Sequence, residues 1–437
     1  MMFAGDVLAE TDALGNTVSY TYDDYGNLIA KQDAMGNVTT YTYDENNNMT
    51  SSTDALGNVT AYTYDKRNLL ICVTNAKGAS VHYKYDALGR RIETTDAKGN
   101  TLHTAYDANG NVISVTDAKG NVIQETEYNA LNLAKSVTDA AGNKTSYAYN
   151  TRGQLSSETN ALGNTKRYYY NGRGMNTSVY DENNCRSYVT VDSLGKVTAI
   201  TGPTGAATRY TYDAMGRMTS ETTTMGYSVK YGYNSLNLKS QITNARGQIT
   251  KITYDALRRI TGLTRNEDTV SYTYDENGNV LSVTDKNGTI FREYDALNRV
   301  TKYTDTDGNT IEYRYDCVGN LSRLIYPDGS AVVYIYDLNN NLVCVTDWED
   351  RRTVYTYDEN NRVTKVIKPD GSVTTTIYDN AGRVISTVEK TSSGATITGF
   401  EYEYDDLGRI ICEKHLLIVL CNVFMFFVSF ASKALFC

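Results

Sequence analysis

The sequence predicts an all-β protein, in which one long antiparallel meander of repeats of about 21 residues curls into a spiral shell or a superhelical wall. Three observations support this prediction. A Tyr-Asp or Tyr-Asn dipeptide recurs along almost the whole chain, two turn motifs lie in each repeat, and the residues between the turns alternate with a period of two. The composition agrees, because tyrosine (38 residues) far outnumbers Phe (8) and Trp (1), and a charged fraction of 21% is low for a disordered chain.

The dipeptide defines nineteen repeats with a spacing of 21 residues and few slips. Val191-Asp192 takes its place in one repeat. The marker tyrosines are Tyr22, Tyr43, Tyr64, Tyr85, Tyr106, Tyr128, Tyr149, Tyr170, Tyr212, Tyr233, Tyr254, Tyr274, Tyr294, Tyr315, Tyr336, Tyr357, Tyr378 and Tyr404. Such regularity indicates one repeated structural module rather than several unrelated domains.

Two Asp-x-x-Gly motifs in each repeat predict two tight turns. The first motif follows the marker tyrosine, as in residues 107–110, and the second begins ten residues later, as in 117–120. Aspartate at the start of a type I turn accepts backbone N–H groups, and glycine adopts a positive φ without a Cβ clash. Each repeat is therefore predicted to be strand, turn, strand, turn.

The strands between the turns show two patterns. After the first turn, an apolar, a small and a threonine residue follow at alternate positions, and we expect Leu28 and Ala30 to share one face in this way. After the second turn, thirteen repeats carry a Tyr-x-Tyr pair, such as Tyr41 and Tyr43 opposite Thr40 and Thr42. Either face could line the interior, because tyrosine has an apolar body and a polar tip.

Nineteen repeats of two strands predict roughly 38 strands. At ~4.8 Å between neighbours a flat sheet would be about 180 Å wide. Open sheets rarely exceed ~10 strands without curling or splitting, so the meander is expected to coil on itself.

The repeats resemble the YD-repeat, or Rhs (rearrangement hot spot), family. Its motif Tyr-Asp-x-x-Gly-[Asn/Arg]-apolar occurs at residues 22–28, 212–218 and 404–410, and the match covers residues 6–414. The structural repeat markers that carry the resemblance are Tyr22, Asp23, Gly26, Tyr43, Asp44, Tyr64, Asp65, Tyr85, Asp86, Gly89, Tyr212, Asp213, Gly216, Tyr404, Asp405 and Gly408.

The resemblance implies a structural role, in a β-shell that encloses or displays a C-terminal toxin or effector of a bacterial polymorphic toxin or wall-associated protein. The expected partners are the remainder of the shell or the enclosed toxin domain. Because the chain starts within a repeat and shows no recognisable core cap or toxin domain, it is interpreted as a truncated fragment. The full-length protein is expected to be secreted or on the bacterial cell surface, although residues 1–5 do not resemble a signal peptide.

A second hypothesis is a cell-surface carbohydrate- or cell-wall-binding repeat protein, in which sugar rings stack on the tyrosine faces. Cross-packing of the tyrosines within the sheet is the competing interpretation. Segment 168–172 (YYYNG) is the one most similar to aromatic cell-wall modules. The net charge of −9 and the scattered Lys and Arg do not indicate nucleic-acid binding.

No catalytic, cofactor-binding or metal-ligating residue is predicted, and we expect no enzyme. The small strand position holds Cys72, Cys344 and Cys412 where other repeats have serine, so these cysteines are interpreted as serine substitutes. His82 and His103 lie 21 residues apart and are expected at equivalent strand positions. Calcium is disfavoured, because each turn aspartate is explained by its own turn.

The chain is predicted to divide into a repeat array, 1–414, and a hydrophobic tail, 415–437. The tail holds an apolar stretch, 416–432, at the lower limit of a membrane span. Three interpretations remain open: a transmembrane helix that would place the protein at a membrane, a frameshift-derived end, or a terminal segment packed inside the curl.

Overall fold

The computed structural model describes residues 6–416, and these form 39 β-strands and no helix. The strands belong to one sheet, and each pairs antiparallel with its neighbours in sequence, as β2 does with β1 and β3. The all-β meander is therefore confirmed. Its 39 strands are one more than the 38 expected from nineteen repeats of two strands. The hydrophobic tail and its three interpretations lie outside the described residues, apart from the short stretch before residue 417.

The even-numbered strands follow the second turn of a repeat, and each ends at a marker tyrosine or at Val191. They are β2 (Thr17–Tyr22), β4 (Val38–Tyr43), β6 (Val59–Tyr64), β8 (Ser80–Tyr85), β10 (Thr101–Tyr106), β12 (Val122–Tyr128), β14 (Lys144–Tyr149), β16 (Thr165–Tyr170), β18 (Arg186–Val191), β20 (Ala207–Tyr212), β22 (Ser228–Tyr233), β24 (Ile249–Tyr254), β26 (Asp268–Tyr274), β28 (Gly288–Tyr294), β30 (Thr310–Tyr315), β32 (Ala331–Tyr336), β34 (Arg352–Tyr357), β36 (Val373–Tyr378) and β38 (Thr396–Tyr404). Tyrosine and β-branched residues favour this extended, half-covered conformation.

The odd-numbered strands follow the first turn. They are β1 (Ala9–Thr11), β3 (Leu28–Gln32), β5 (Met49–Thr53), β7 (Leu70–Thr74), β9 (Arg91–Thr95), β11 (Val112–Thr116), β13 (Ala134–Asp139), β15 (Leu155–Thr159), β17 (Asn176–Tyr180), β19 (Val197–Thr201), β21 (Met218–Thr223), β23 (Lys239–Thr243), β25 (Ile260–Arg265), β27 (Val280–Asp285), β29 (Val300–Thr304), β31 (Leu321–Ile325), β33 (Leu342–Thr346), β35 (Val363–Ile367), β37 (Val384–Lys390) and β39 (Ile410–His415). The sheet thus alternates the two kinds of strand.

The turns have the predicted chemistry. At the second-type turn that precedes β2, Gly15 N–H donates to the Asp12 carbonyl at 3.1 Å and Asp12 N–H donates to the Asn16 carbonyl at 2.9 Å. Gly15 has φ +90°, which is the left-handed conformation that closes such a turn. Asparagine replaces this glycine in several turns, and Arg258 replaces it in one, with φ +65°.

The expected shared face of Leu28 and Ala30 is wrong. Leu28 pairs with Tyr22 and Ala30 pairs with Thr21, so a β-bulge separates them. Paired residues point to the same side of a sheet and consecutive residues to opposite sides, which places Leu28 and Ala30 on opposite faces. The same shift accompanies marker tyrosines along the chain, for example Tyr233.

The two faces of the sheet differ in exposure. In β4, Tyr41 and Tyr43 are half-buried, whereas Val38, Thr40 and Thr42 on the other side are exposed. We call these the tyrosine face and the hydroxyl face. The predicted alternation is therefore confirmed, and the tyrosine face is the more covered one.

The sheet buries few apolar side chains. Within residues 6–416, Ala79 and Val332 are the apolar residues that are almost fully buried. Stability must therefore come mainly from half-buried side chains, backbone pairing and polar contacts between repeats.

The described residues fall into two compact units. Unit 1 contains 6–61, 166–314 and 325–329, and unit 2 contains 62–165, 315–324 and 330–416. Each unit brings together segments that are far apart in sequence.

Candidate functional site

The marker tyrosines bind neighbouring strands through their hydroxyl groups. Tyr43 lies at the end of β4 and donates its hydroxyl to the carbonyl of Leu28, the first residue of β3, at 2.8 Å. Burial raises the pKa of Tyr43, which keeps the hydroxyl a donor. The same bond, at 2.6–3.2 Å, joins Tyr22 to Val7, Tyr85 to Leu70, Tyr106 to Arg91, Tyr128 to Val112, Tyr149 to Ala134, Tyr212 to Val197, Tyr233 to Met218, Tyr254 to Lys239, Tyr274 to Ile260, Tyr294 to Val280, Tyr357 to Leu342, Tyr378 to Val363 and Tyr404 to Val384.

The aspartate after each marker tyrosine holds the first turn. The Oδ1 atom of Asp23 accepts the N–H groups of Tyr25 and Asn27 at 2.9 and 2.8 Å, and its Oδ2 atom accepts the Asn27 side-chain amide at 2.9 Å. The Asn27 bond, with the backbone bonds, lowers the pKa of Asp23 despite some burial. Asp44, Asp65, Asp86, Asp213 and Asp405 accept the equivalent backbone bonds.

Glycine closes the first turn at four of the markers. The φ values are +86° at Gly26, +79° at Gly89, +82° at Gly216 and +75° at Gly408. Tyr64 ends β6 and is followed by Asp65 in the same arrangement. The sequence markers are thus brought together as one structural element, repeated along an edge of the sheet.

An arginine at the fifth turn position joins consecutive repeats. Arg217 Nε donates to Asp213 Oδ2 at 2.7 Å, its guanidinium lies 4.6 Å from the ring centre of Tyr233, and Nη1 donates to Asn237 Oδ1 at 2.8 Å. Arg90, Arg259, Arg362 and Arg383 stack on the next marker tyrosine in the same way. The Asn/Arg alternation of the motif was visible in the sequence, but its role between repeats was not.

Turns about 240 residues apart meet in unit 2. Lys98 Nζ lies 3.2 Å from Asp337 Oδ2, and Asn339 Nδ2 donates to Asp96 Oδ2 at 2.6 Å. Lys98 and Asn339 are the third residues of their turns, and each contacts the first residue of the other turn. The contact is therefore reciprocal.

The next pair of turns repeats this arrangement 21 residues further along both segments. Lys119 Nζ lies 3.0 Å from Asp358 Oδ2, and Asn360 Nδ2 donates to Asp117 Oδ2 at 2.6 Å. We call these two pairs of turns, 96–100 with 337–341 and 117–121 with 358–362, the seam. Burial acts to raise the pKa of Asp358, but hydrogen bonds from Arg362 and Lys119 lower it to about 2.

Related contacts flank the seam and occur separately in unit 1. In unit 2, Lys77 Nζ lies 2.7 Å from Asp316 Oδ2. Within unit 1, Asn277 Nδ2 donates to Asp33 Oδ2 at 2.7 Å, across 244 residues. Lysine at the third position of three consecutive second turns (Lys77, Lys98 and Lys119) was the sequence signal for the contacts in unit 2, and sequence reasoning missed it.

The sequence profile of the Teneurin YD-shell family matches residues 69–199, 239–392 and 304–420, which is well over half of the chain. The chain belongs to the Teneurin YD-shell family. The RHS Repeat profile also matches residues 4–34, 22–59, 43–75 and 191–226. None of the curated proteins compared with this YD-shell chain matches it.

Solved structures share the fold of the YD-shell chain. The crystal structure of TcdB2-TccC3-Cdc42 superposes with a TM-score of 0.72 at 14% identity, covering 92% of this chain and 28% of that chain. TcdB2-TccC3 gives 0.52 at 15% identity, covering 93% and 28%. A Tc holotoxin pore of Photorhabdus luminescens with a mutated TccC3 gives 0.51 at 14% identity, covering 92% and 27%. This YD-shell chain therefore spans little more than a quarter of the chains that it matches.

The Tyr-x-Tyr pairs of the YD-shell chain lie on its more covered face. Several of their hydroxyls already bind carbonyl or carboxylate oxygens, and Tyr231 donates to Glu221 at 2.7 Å, which raises the pKa of Tyr231 to about 12. Of the described tyrosines, those at least 36% exposed are Tyr25, Tyr169, Tyr188 and Tyr227. The sugar-stacking hypothesis therefore gains no support from the Tyr-x-Tyr pairs.

The cysteines and histidines singled out in the sequence lie on strands. Cys72, Cys344 and Cys412 are half-buried on odd-numbered strands. His82 pairs with Thr95 and His103 pairs with Thr116, so the predicted equivalence of the two histidines is confirmed.

Among residues 6–416, no group of three or more His, Cys, Asp or Glu side chains is arranged to hold a metal ion. The same residues contain no helix that could span a membrane.

Proposed function

We propose that this chain is part of the wall of a β-shell that encloses or displays a C-terminal toxin or effector, in a bacterial polymorphic toxin or wall-associated protein. The division into a repeat array, 1–414, and a separate tail, 415–437, is part of this proposal. The partners are the remainder of the shell and the enclosed domain, and the complete protein acts outside the producing cell or on its surface.

The seam is the observation that carries the proposal. It bonds one stretch of the meander to another stretch 239–243 residues away, edge to edge, through charge-assisted hydrogen bonds. Strands joined by a backbone ladder leave no opening wide enough for a folded protease. A wall closed in this way acts by steric exclusion and requires no catalytic group.

The names of the similar structures support the toxin part of the proposal. TccC3 occurs in each of the three assemblies reported above, and one of them is a holotoxin pore. The likeness at 14–15% identity concerns the fold, so the enclosed toxin or effector of this chain is an inference and is not taken over from those proteins.

Limited proteolysis of the protein purified from its producing cell tests the proposal. We expect a segment outside 6–416 to survive protease until the seam is opened by Asn339→Ala together with Asn360→Ala. Asn109→Ala is the matched control, because Asn109 has the same turn position outside the seam. Mass spectrometry identifies the protected products, and equal digestion of that segment in all three proteins would contradict the proposal.

A further inference from the structure

The pair of turns one repeat beyond the seam lacks the two donors that make the seam reciprocal. This pair consists of turns 139–143 and 379–383. The third residues of the two turns are Ala141 and Ala381, where the seam has a lysine and an asparagine. An alanine has no polar side-chain atom, so this pair, which we call the alanine pair, cannot form the reciprocal contact.

A cavity of about 560 Å³ runs along the seam and reaches the alanine pair. It lies within unit 2, and Ala140 and Ala381 line it at the alanine pair. Leu102 also lines it and is 39% exposed. Leu102 lies on the tyrosine face, because Thr94 pairs with both Leu102 and Tyr83. The cavity therefore offers apolar surface that a short hydrocarbon chain can cover.

The carboxylate of Asp139 has one acceptor position more than its own turn uses. An ionised carboxylate offers about four such positions. Asp139 accepts the N–H groups of Ala141 and Asn143, both at 2.9 Å, and the Asn143 side-chain amide at 3.0 Å. In the seam, Asp117 accepts three bonds of the same kind and a fourth from Asn360. No fourth donor from the described part of the chain reaches Asp139, which is exposed and lines the cavity.

Asp379, on the other side of the alanine pair, lacks the lysine that its counterpart contacts. Its side chain accepts the Arg383 N–H group at 2.9 Å and Arg383 Nε at 2.7 Å. The counterpart in the seam, Asp358, accepts the same two kinds of bond and also lies 3.0 Å from Lys119 Nζ. A ligand that restores both seam contacts must supply a donor to Asp139 and an ammonium group to Asp379.

The charges around the cavity favour a cationic ligand. Beyond the alanine pair, its lining contains the carboxylates of Asp96, Asp117 and Glu359 and one cation, Arg362. Arg362 Nε already donates to Asp358 at 2.8 Å. The lining is therefore negative overall, which attracts a cation and repels an anion.

We propose that the alanine pair binds a short aliphatic diamine, with one ammonium group on Asp139, the other on Asp379 and the methylene chain over the alanines and Leu102. An ammonium group is a compact donor of the kind that lysine supplies in the seam. The methylene chain covers apolar surface that water otherwise contacts. The bound diamine joins two turns that no side chain joins, and this role does not depend on enclosure of a toxin.

Calorimetric titration of the full chain with putrescine at low ionic strength, with propylamine as comparison, tests the proposal. We expect saturable binding of one putrescine, which weakens as salt rises. Asp139→Asn should lower the affinity about fivefold. The turn itself should persist, because Asn129 and Asn150 start turns of the same kind. Asp305→Asn is the matched control, since Asp305 accepts the same three kinds of bond in a turn outside the seam.

Ala141→Lys with Ala381→Asn supplies the two donors from the chain itself. We expect this variant to lose putrescine binding and to melt at a higher temperature than wild type. Circular dichroism of each variant verifies that the sheet is intact.

Four results would overturn the proposal. They are no saturable binding of putrescine to the folded wild-type chain, undiminished binding to the folded double variant, equal losses in Asp139→Asn and Asp305→Asn, and equal affinity for propylamine. Tighter binding of calcium than of putrescine, lost in the same variants, would assign the position to a metal ion instead.

Discussion

Replacing Asn339 by alanine removes a defined part of the seam. Asn339 Nδ2 donates to Asp96 Oδ2 at 2.6 Å and to Asn361 Oδ1 at 3.0 Å. Asn109 occupies the same turn position and donates to Asn132 Oδ1 at 3.0 Å. The difference between Asn339→Ala and Asn109→Ala therefore isolates the bond to Asp96.

The size of this difference follows from the chemistry of that bond. A hydrogen bond to a charged group contributes about 1.5–3 kcal/mol, and the Asp96 carboxylate is half-buried, which favours the upper part of this range. We therefore expect Asn339→Ala to lower the local free energy of opening by about 1.5–3 kcal/mol more than Asn109→Ala does.

Native-state hydrogen exchange measures the effect where it should occur. The N–H groups of Lys98 and Asn100 donate to Asp96 Oδ1 and report opening of that turn. Their exchange should be roughly 10- to 150-fold faster in Asn339→Ala, and close to wild type in Asn109→Ala. Equal rates at these two amides in both variants would refute a stabilising role of the seam.

Four further predictions concern other parts of the chain. Arg258→Gly should raise the melting temperature, because a non-glycine residue at φ +65° costs about 1 kcal/mol; an unchanged or lower value would contradict this. Tyr233→Phe should lower local stability by about 0.5–1.5 kcal/mol, since the carbonyl of Met218 loses its 2.6 Å bond, and faster exchange of the neighbouring amides would register the loss. The pKa of Asp358 is lowered from 3.8 to about 2, so the contribution of its ionised carboxylate to folding stability is complete above the unfolded pKa and is lost as the pH falls toward 2. Acid titration should therefore destabilise wild type more than Asp358→Asn between these two pH values. Parallel loss of stability in the two proteins would refute the assignment. Deletion of 416–437 should leave the β-sheet circular dichroism unchanged and increase solubility, whereas loss of the signal would indicate a packed terminal segment.

Local chemistry explains what the sequence revealed. The turn at Asp23 and Gly26 was predictable, because an aspartate that accepts nearby N–H groups and a glycine with positive φ act within five residues. The shared face of Tyr41 and Tyr43 was predictable, because side chains along a strand alternate between the two faces of the sheet. These features repeat, so each copy reinforced the same prediction.

Features that need a second strand or a distant turn were beyond the sequence. The bulge that separates Leu28 from Ala30 depends on the register with β2, which the pattern of one strand does not encode. The meeting of Lys98 with Asp337 depends on how far the sheet twists over many repeats. Arg258 shows a further limit of prediction from sequence. The turn around Arg258 imposes a positive φ, which is a conformation that arginine disfavours.

The spacing across the seam constrains how such a gene can grow or shrink. One additional 21-residue module inserted between Asn121 and Asp316 would move every later turn by one position relative to its partner. Lys98 would then oppose the turn that now faces Lys77, where Val318 takes the place of Asn339, whose side chain donates to Asp96. Recombination between near-identical copies would leave each hairpin intact but would bring turns together across the seam that do not match. Such a change in repeat number would therefore be selected against.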